Sequence, residues 1–125
     1  MTDTNNISIV TELYGNRGLC WNAVDGFQSF LLIQKQSDIV IGDRVICIEL
    51  VSDECTIEKI MAQDNSLKKM SANGRVQNIA NNVTNAIMVL SSQPKPNFYL
   101  LDKLILIAEL NACKINIVIN KCDLD

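Results

Sequence analysis

The chain has 125 residues, of which 48% are hydrophobic and 20% charged, and its formal net charge is −3. This composition is typical of a folded globular protein and excludes an intrinsically disordered one. No apolar run approaches the length of a membrane span, and the polar, acidic N-terminus carries no export signal, so we expect a cytoplasmic protein that does not contact a membrane.

Five short strands are predicted before residue 65. Turn signals separate the first three strands. Gly15-Asn16-Arg17-Gly18 lies between the first and the second strand, and Asp25-Gly26 lies between the second and the third. A flat sheet of five strands would expose two edges, so we expect a closed barrel of OB-like or SH3-like type, with Trp21 in its core. The strands are predicted over residues 7–13, 19–24, 27–34, 44–50 and 55–63, with breaks at 36–38 and 51–54.

A basic segment follows the predicted barrel. Residues 1–65 carry four basic and ten acidic side chains, whereas residues 66–125 carry seven basic and four acidic ones. No acidic residue lies between Asp64 and Asp102. A locally basic segment of this kind can bind phosphate groups even when the whole chain is acidic, although a solvated linker would give the same pattern. The candidate RNA-binding residues are Lys68, Lys69 and Arg75, with Arg17 from the barrel.

The last third of the chain has the pattern of a strand, a helix and a second strand. Residues 86–90 and 115–119 are apolar at nearly every position, which is typical of strands covered on both faces. Between them, residues 98–110 show helical spacing of apolar side chains, with Asn97 as the N-cap and Asn111 as the stop. Short connections predict a right-handed βαβ unit with parallel strands. The apolar helix face comprises Leu101, Leu104, Ile105 and Ala108.

The tetrapeptide Asn120-Lys121-Cys122-Asp123 follows the second of these strands directly. Ligands of open α/β sheets bind beyond the carboxyl ends of the strands. There, the Asp123 carboxylate can accept hydrogen bonds from guanine N1–H and from the exocyclic amine, a donor pair that adenine lacks. The Lys121 stem can lie along the base, and the Asn120 amide can reach its imidazole edge and brace the loop. Cys122 would contribute only its backbone. We therefore predict guanine binding at residues 120–123.

Several segments of the sequence resemble one known family. They are Asn85–Ser91, Pro94–Phe98, Leu100–Lys103, Ala108-Glu109 and Ile119–Leu124, together with Ile41–Val45, which is similar to a Val-Gly-Asp-x-Val turn. The family is that of the small-ribosomal-subunit-dependent GTPases called RsgA or YjeQ. In it, an OB fold precedes a circularly permuted GTPase domain that opens with the guanine-specificity motif. Residues 67–69 and 76–83 occupy the places of the family's basic linker and of the lead-in to its first GTPase strand.

The resemblance implies a fold, a ligand and a partner. The expected fold class is an α+β composite, in which a five-stranded OB-like barrel precedes the first βαβ unit of an incomplete α/β domain of the P-loop GTPase type. The expected domains are an rRNA-binding barrel over residues 1–70, a basic linker over 71–83 and the start of the GTPase domain over 84–125. GTP or GDP is the implied ligand, and the small ribosomal subunit with its 16S-type rRNA is the implied partner. We also expect a monomer that does not bind DNA.

The sequence contains only part of what GTP hydrolysis requires. None of its five glycines begins a Gly-x-x-x-x-Gly-Lys-[Ser/Thr] loop, and it has neither an Asp-x-x-Gly motif nor a cluster like the family's zinc module. Phosphoryl transfer needs a phosphate cradle, a lysine and Mg²⁺, so we expect no catalytic residue here and no activity from the chain alone. We interpret the chain as the N-terminal part of a longer GTPase, with Mg²⁺ and Zn²⁺ expected only in a C-terminal part. Two parallel strands by themselves would also leave a sheet face uncovered.

Two other interpretations stay open. A stand-alone OB-fold module could bind RNA or protein without nucleotide chemistry. A thiol enzyme could be built on Cys122, which is predicted to lie in an exposed loop beside Lys121. The sequence has no histidine, and its five cysteines show no Cys-x-x-Cys spacing, so we predict no metal site and interpret most cysteines as small buried hydrophobic residues. The cysteines are Cys20, Cys47, Cys55, Cys113 and Cys122.

Overall fold

The structure, a computed structural model, describes residues 7–33, 38–50 and 54–123. They form two compact units that adjoin in sequence between Asn82 and Val83. Predictions that fall on Gln34, on residues 36–37 and 51–53, or on Leu124 lie outside the described residues. The elements are β1 (Ile7–Tyr14), β2 (Arg17–Asn22), β3 (Gly26–Leu31), β4 (Arg44–Glu49), β5 (Cys55–Ile60), β6 (Ser66–Met70), β7 (Val76–Asn81), β8 (Asn85–Ser91), α1 (Phe98–Leu110) and β9 (Lys114–Asn120).

The first five strands close into a barrel, as the sequence predicts. Their order is β1-β2-β3-β5-β4, and β4 pairs back onto β1. All neighbouring strands are antiparallel except β3 and β5, which pair in parallel at Phe30 and Cys55. Inward-pointing side chains alternate with outward ones and fill the barrel, because successive residues of a strand face opposite sides. The core consists of Val10, Cys20, Phe30, Leu32, Ile39, Val45, Cys55 and Ile57.

Trp21 lies on the outside of the barrel, so its expected place in the core is wrong. Its neighbour Cys20 is fully buried and points inward, and strand alternation therefore turns the indole outward, where it is 40% exposed. The general tendency of tryptophan to be buried predicted the opposite. The alternation of inward and outward residues along β2 determines where the Trp21 side chain lies.

A β-hairpin follows the barrel where the sequence analysis expected a linker. β6 and β7 pair antiparallel, so residues 76–81 of the expected linker form a strand. The turn between them contains Asn73-Gly74, in which Gly74 has a φ of +78°. The Asn73 side-chain oxygen accepts hydrogen bonds from the Arg75 N–H and from the Ser71 hydroxyl. Asn-Gly is a strong signal for a β-hairpin, so Asn73-Gly74 would have predicted the pairing of β6 with β7.

A buried carboxylate joins this hairpin to the barrel. Asp43 is 1% exposed; its Oδ1 accepts a hydrogen bond of 2.6 Å from the Asn81 amide, and its Oδ2 accepts one of 2.9 Å from the Val40 N–H. The Asn81 amide also donates to Gln63, and its oxygen accepts from the Ser66 hydroxyl. Burying a charge is costly unless it is hydrogen-bonded, so these contacts define where β7 can lie.

Gly42 lets the two backbones approach each other. Its φ is +89°, and a Cβ at this position would collide with the carbonyl oxygen of Asn81. The Asn81 N–H donates to the Ile41 carbonyl at 2.9 Å, and the Asn82 amide donates to the Gly42 carbonyl at 3.0 Å. Only glycine meets both demands, because it tolerates positive φ and has no side chain.

The second unit is the predicted βαβ unit. β8 and β9 pair in parallel over their whole length, from Asn85 opposite Lys114 to Ser91 opposite Asn120. α1 packs against β9 and has the expected bounds. The Asn97 side chain accepts from the Leu100 N–H at 3.1 Å, which confirms the predicted N-cap. Asn111 ends the helix as predicted.

The sheet of this unit is covered on one face by α1, whereas the apolar strand sequences predict cover on both. Ile87 and Val89 of β8 are exposed, whereas the residues before, between and after them are half-buried. Val118 of β9, which pairs with Val89 and so lies on the same face, is exposed as well. A single helix covers one side of a two-stranded sheet and leaves the other open. In the part of the chain that the structure describes, no helix has the length and hydropathy needed to cross a membrane.

We expect Asn81→Ala to lower the free energy of unfolding of the barrel by about 3 kcal/mol, because it leaves Oδ1 of the buried Asp43 carboxylate without its donor. Urea denaturation followed by the fluorescence of Trp21, the single tryptophan, measures this change. Gln77→Ala, which removes an exposed amide from the same strand, serves as the control and should change the value by less than about 0.5 kcal/mol. Equal effects of the two substitutions would contradict the proposed role of Asn81.

Candidate functional site

The predicted guanine-binding residues lie where two parallel strands end side by side. Ser91, the last residue of β8, is paired with Asn120, the last residue of β9. The chain segments that leave the two strands, residues 92–97 and 121–123, are therefore neighbours at one edge of the sheet. This is the edge at which open α/β sheets bind their ligands.

The turn after β9 is shaped by its own residues. Lys121 has a φ of +56°, a left-handed conformation that turns the chain sharply away from the strand. The Asn120 side-chain oxygen accepts a hydrogen bond of 2.9 Å from the Lys121 N–H and so braces the turn. The Cys122 thiol donates to the Ile119 carbonyl at 3.4 Å. The turn is thus held from within, and residues 120–123 are all exposed.

A single carbonyl links the two neighbouring segments. The Gln93 carbonyl oxygen accepts a hydrogen bond of 2.9 Å from the Ser91 hydroxyl and one of 3.4 Å from the Lys121 ammonium group. The Lys121 side chain therefore reaches from the turn after β9 to the segment after β8. Its aliphatic stem lies across the end of the sheet, where a planar group can pack on it. Asp123, two residues further along the chain, is exposed.

Three of the four predicted RNA-binding cations lie together on the β6–β7 hairpin. Lys68 and Lys69 are exposed on β6, paired with Asn78 and Gln77, and Arg75 is exposed where the turn leads into β7. Adjacent residues of a strand face opposite sides, so Lys68 and Lys69 point away from each other. The hairpin sequence contains no acidic residue. It thus carries three positive charges with no acid of its own to neutralise them.

Arg17 is in a different situation. Its guanidinium forms an ion pair of 2.8 Å with the Glu54 carboxylate on the barrel surface. A phosphate that binds Arg17 would have to displace or share this partner. Arg17 on β2 therefore differs from the three hairpin cations in that an acidic side chain already neutralises it.

An exposed apolar row on the barrel escaped the sequence analysis. Ile9, Trp21 and Phe27 are directly opposite one another on β1, β2 and β3, and all three side chains point outward. The strand pairing and the burial of Val10 and Cys20 place them on one face. Aligning the inward residues of the three predicted strands would have found this row. Exposed aromatic side chains of this kind can stack on nucleobases.

Three cysteines meet inside the barrel. The sulfur atoms of Cys20, Cys47 and Cys55 all lie within 4.8 Å of one another, and those of Cys20 and Cys47 are 3.6 Å apart. The hydrogen bond from Cys47 lowers the pKa of Cys20 to about 7, and the same contact raises the pKa of Cys47 above its ordinary value. Burial raises the pKa of Cys55. These thiols are candidate metal ligands that the sequence analysis did not predict.

Comparison with known sequences finds one family. The sequence pattern of the RsgA GTPase family matches residues 60–125. The small ribosomal subunit biogenesis GTPase RsgA of Neisseria meningitidis serogroup B is 28% identical over 120 residues, which are 96% of this chain and 39% of that protein. RsgA of Alcanivorax borkumensis is 32% identical over 87 residues, or 69% of this chain and 25% of that protein. The chain thus spans about two-fifths or less of the curated relatives that it matches.

Two solved structures share the fold. The crystal structure of YjeQ from Thermotoga maritima aligns with 96% of this chain and 42% of its own, with a TM-score of 0.70 and 27% identity. YloQ, described as a circularly permuted GTPase, aligns with all of this chain and 45% of its own, with a TM-score of 0.66 and 20% identity. The fold class predicted from the sequence is thereby confirmed.

Proposed function

The chain belongs to the RsgA GTPase family, and from this membership we propose that its residues 120–123 recognise the guanine base in a GTPase that acts in late maturation of the small ribosomal subunit. The observation that carries the proposal is the position of Asn120–Asp123 at the shared carboxyl edge of β8 and β9. There, a turn braced by the Asn120 side chain carries an exposed aspartate two residues after a lysine that reaches the neighbouring segment.

Each residue has a separate role in the proposed site. The Asp123 carboxylate accepts hydrogen bonds from guanine N1–H and from the 2-amino group, which specifies guanine against adenine. The Lys121 stem packs on the face of the base. The Asn120 amide braces the turn through its oxygen, which leaves its NH₂ group for the imidazole edge of the base. Cys122 provides only backbone, because its thiol is directed to the Ile119 carbonyl.

The proposed hydrolysis requires residues beyond this chain. Its 125 residues hold no Gly-x-x-x-x-Gly-Lys-[Ser/Thr] sequence to cradle the phosphates. In the intact GTPase we therefore place the phosphate-binding loop, the Mg²⁺ ligands and a zinc module in a C-terminal part. These 125 residues supply base recognition and are inactive in hydrolysis by themselves.

The barrel and the hairpin form the proposed rRNA-binding part. The strand order β1-β2-β3-β5-β4 supports an OB fold for the domain over residues 1–70, and the GTPase domain begins at residue 84. The connection over residues 71–83 includes β7, so the hairpin crosses the first boundary. Lys68, Lys69 and Arg75 contact rRNA phosphates, whereas Arg17, paired with Glu54, is the weakest candidate. We propose that the protein acts as a cytoplasmic monomer on the 16S-type rRNA of the small subunit, without DNA or membrane partners.

A second candidate function is supported by the outer face of the barrel. The row of Ile9, Trp21 and Phe27 would suit a stand-alone module that binds RNA by stacking, or a protein by apolar contact, without nucleotide chemistry. The two functions differ in which residues matter. Guanine recognition depends on Asp123, whereas the stand-alone module depends on Trp21 and Phe27.

We expect Asp123→Asn to weaken GTP binding by the intact protein by about 10–100-fold and to strengthen binding of xanthosine triphosphate. The asparagine NH₂ group can donate to the 2-carbonyl of xanthine but cannot accept from the 2-amino group of guanine. Competition of GTP, ATP and xanthosine triphosphate against a fluorescent guanine nucleotide measures both changes. Asp102→Asn, which neutralises an exposed acid on α1, is the matched control. Unchanged guanine selectivity in Asp123→Asn would overturn the assignment.

We expect the double substitution of Lys68 and Lys69 by alanine to weaken binding to small-subunit particles and to reduce the salt dependence of that binding. Two phosphate contacts contribute roughly 1.4 to the slope of log affinity against log salt concentration, because counterions are released from the RNA. Binding at several salt concentrations gives the slope, and Lys103→Ala on α1 is the control. A wild-type slope near zero would instead indicate a protein partner for the barrel.

A further inference from the structure

The three cysteines inside the barrel have no part in the proposed nucleotide or RNA site. Cys20 lies on β2, Cys47 on β4 and Cys55 on β5, so closure of the barrel brings together residues from three separate strands. Cys20 and Cys55 are buried and Cys47 is half-buried. Inward-pointing positions of a barrel are usually filled by aliphatic side chains. Three thiols at one point therefore call for a chemical explanation.

The spacing of the sulfur atoms fits one metal ion. All three lie within 4.8 Å of one another, and the shortest sulfur–sulfur distance is 3.6 Å. Around a tetrahedral ion with metal–sulfur bonds of about 2.3 Å, two ligand sulfurs are about 3.8 Å apart. The observed triangle reaches this geometry through small side-chain adjustments. A disulfide would use only two of the three thiols.

The donor set selects the kind of ion. Thiolates prefer soft ions with a filled d shell, such as Cu(I) and Zn(II), over hard ions such as Mg²⁺ and Ca²⁺. The group contains three sulfur ligands, and no carboxylate of the described residues belongs to it. Three sulfurs suffice for Cu(I), and Zn(II) would complete its four ligands with a water molecule.

A cavity gives an ion access to these sulfurs. It has a volume of about 330 Å³, and Cys47 and Cys55 line it together with the acidic residues Asp25 and Glu49. Carboxylates at the opening of a cavity raise the local concentration of cations. Cys47 and Cys55, which line the cavity, are the ligands that an entering ion meets before it reaches Cys20.

We propose that Cys20, Cys47 and Cys55 bind one thiophilic metal ion with a filled d shell inside the barrel. Binding forms three metal–sulfur bonds and releases the three thiol protons to solvent. It replaces the hydrogen bonds that Cys20 and Cys55 donate to the carbonyl oxygens of Gln28 and Ser29. The ion would join β2, β4 and β5 and thereby stabilise the closed barrel, independently of any nucleotide.

The test uses the reduced, metal-free 125-residue chain. Zn²⁺ and, under anaerobic reducing conditions, Cu(I) are each titrated in competition with a chromophoric chelator, and Cd²⁺ is titrated to record sulfur-to-metal charge-transfer absorbance. We expect one ion per chain and a cadmium band of the intensity of three thiolates. Stronger retention of Cu(I) would indicate a three-coordinate site, and comparable retention of Zn²⁺ a site completed by water.

Two cysteine variants make the test specific. Cys47→Ala should bind at least about 100-fold more weakly, whereas Cys122→Ala, which removes an exposed thiol outside the group, should bind as the wild type does. Circular dichroism and Trp21 fluorescence report whether each metal-free variant is folded. Should Cys47→Ala be unfolded, Cys47→Ser, which is close in size, takes its place with the same expected loss.

Three results would overturn the proposal. The first is a folded wild-type chain that binds no stoichiometric ion. The second is equal binding by the Cys47 and Cys122 variants. The third is metal uptake that abolishes the circular dichroism of the barrel, which would mean that the ion binds the unfolded chain.

Discussion

The hydrogen bond between the buried Asp43 carboxylate and the Asn81 amide is the constraint on which the first unit depends. It requires a donor deep in the protein, and the chain provides that donor from the last residue of β7. Gly42 permits the approach because it has no side chain to collide with the Asn81 carbonyl. The barrel and the hairpin are therefore fixed to each other, and the three cations of the hairpin stand at a defined place beside the barrel. The Ile41–Val45 segment that resembles a family turn has a structural reason for its glycine and its aspartate.

The second unit depends on parallel pairing. Because β8 and β9 run in the same direction and end in register, the segments that follow them emerge side by side. An antiparallel pair would place these two ends at opposite edges of the sheet. The position of residues 120–123 therefore depends on α1, because this helix returns the chain to the start of the sheet so that β9 can run parallel to β8. The proposed base recognition would use side chains from this one short turn, and the sheet determines where the turn lies.

Much of this architecture was predictable from the sequence, because the deciding information is local. Alternating and apolar runs identified the barrel strands, β8 and β9, and Asn97 and Asn111 marked the ends of α1. The hairpin was missed although Asn73-Gly74 signalled it, because the positive charge of the segment suggested a linker. Trp21 was misplaced because a general tendency was preferred to the pattern of its own strand. The meeting of Cys20, Cys47 and Cys55 was beyond prediction from spacing, since it depends on how the barrel closes. The assignments of residues to guanine binding and to RNA binding remain predictions.

The shared acceptor at Gln93 has a consequence for how the two segments respond to a ligand. Its carbonyl oxygen holds both the Ser91 hydroxyl and the Lys121 ammonium group. A planar ligand that draws the lysine onto its own face would loosen one of these two attachments and leave the other in place. The hydrogen bond from the Ser91 hydroxyl to the Gln93 carbonyl would remain. A ligand bound at the turn after β9 would in this way affect the segment after β8 through the loss of one hydrogen bond, that from Lys121 to Gln93, without any movement of the sheet.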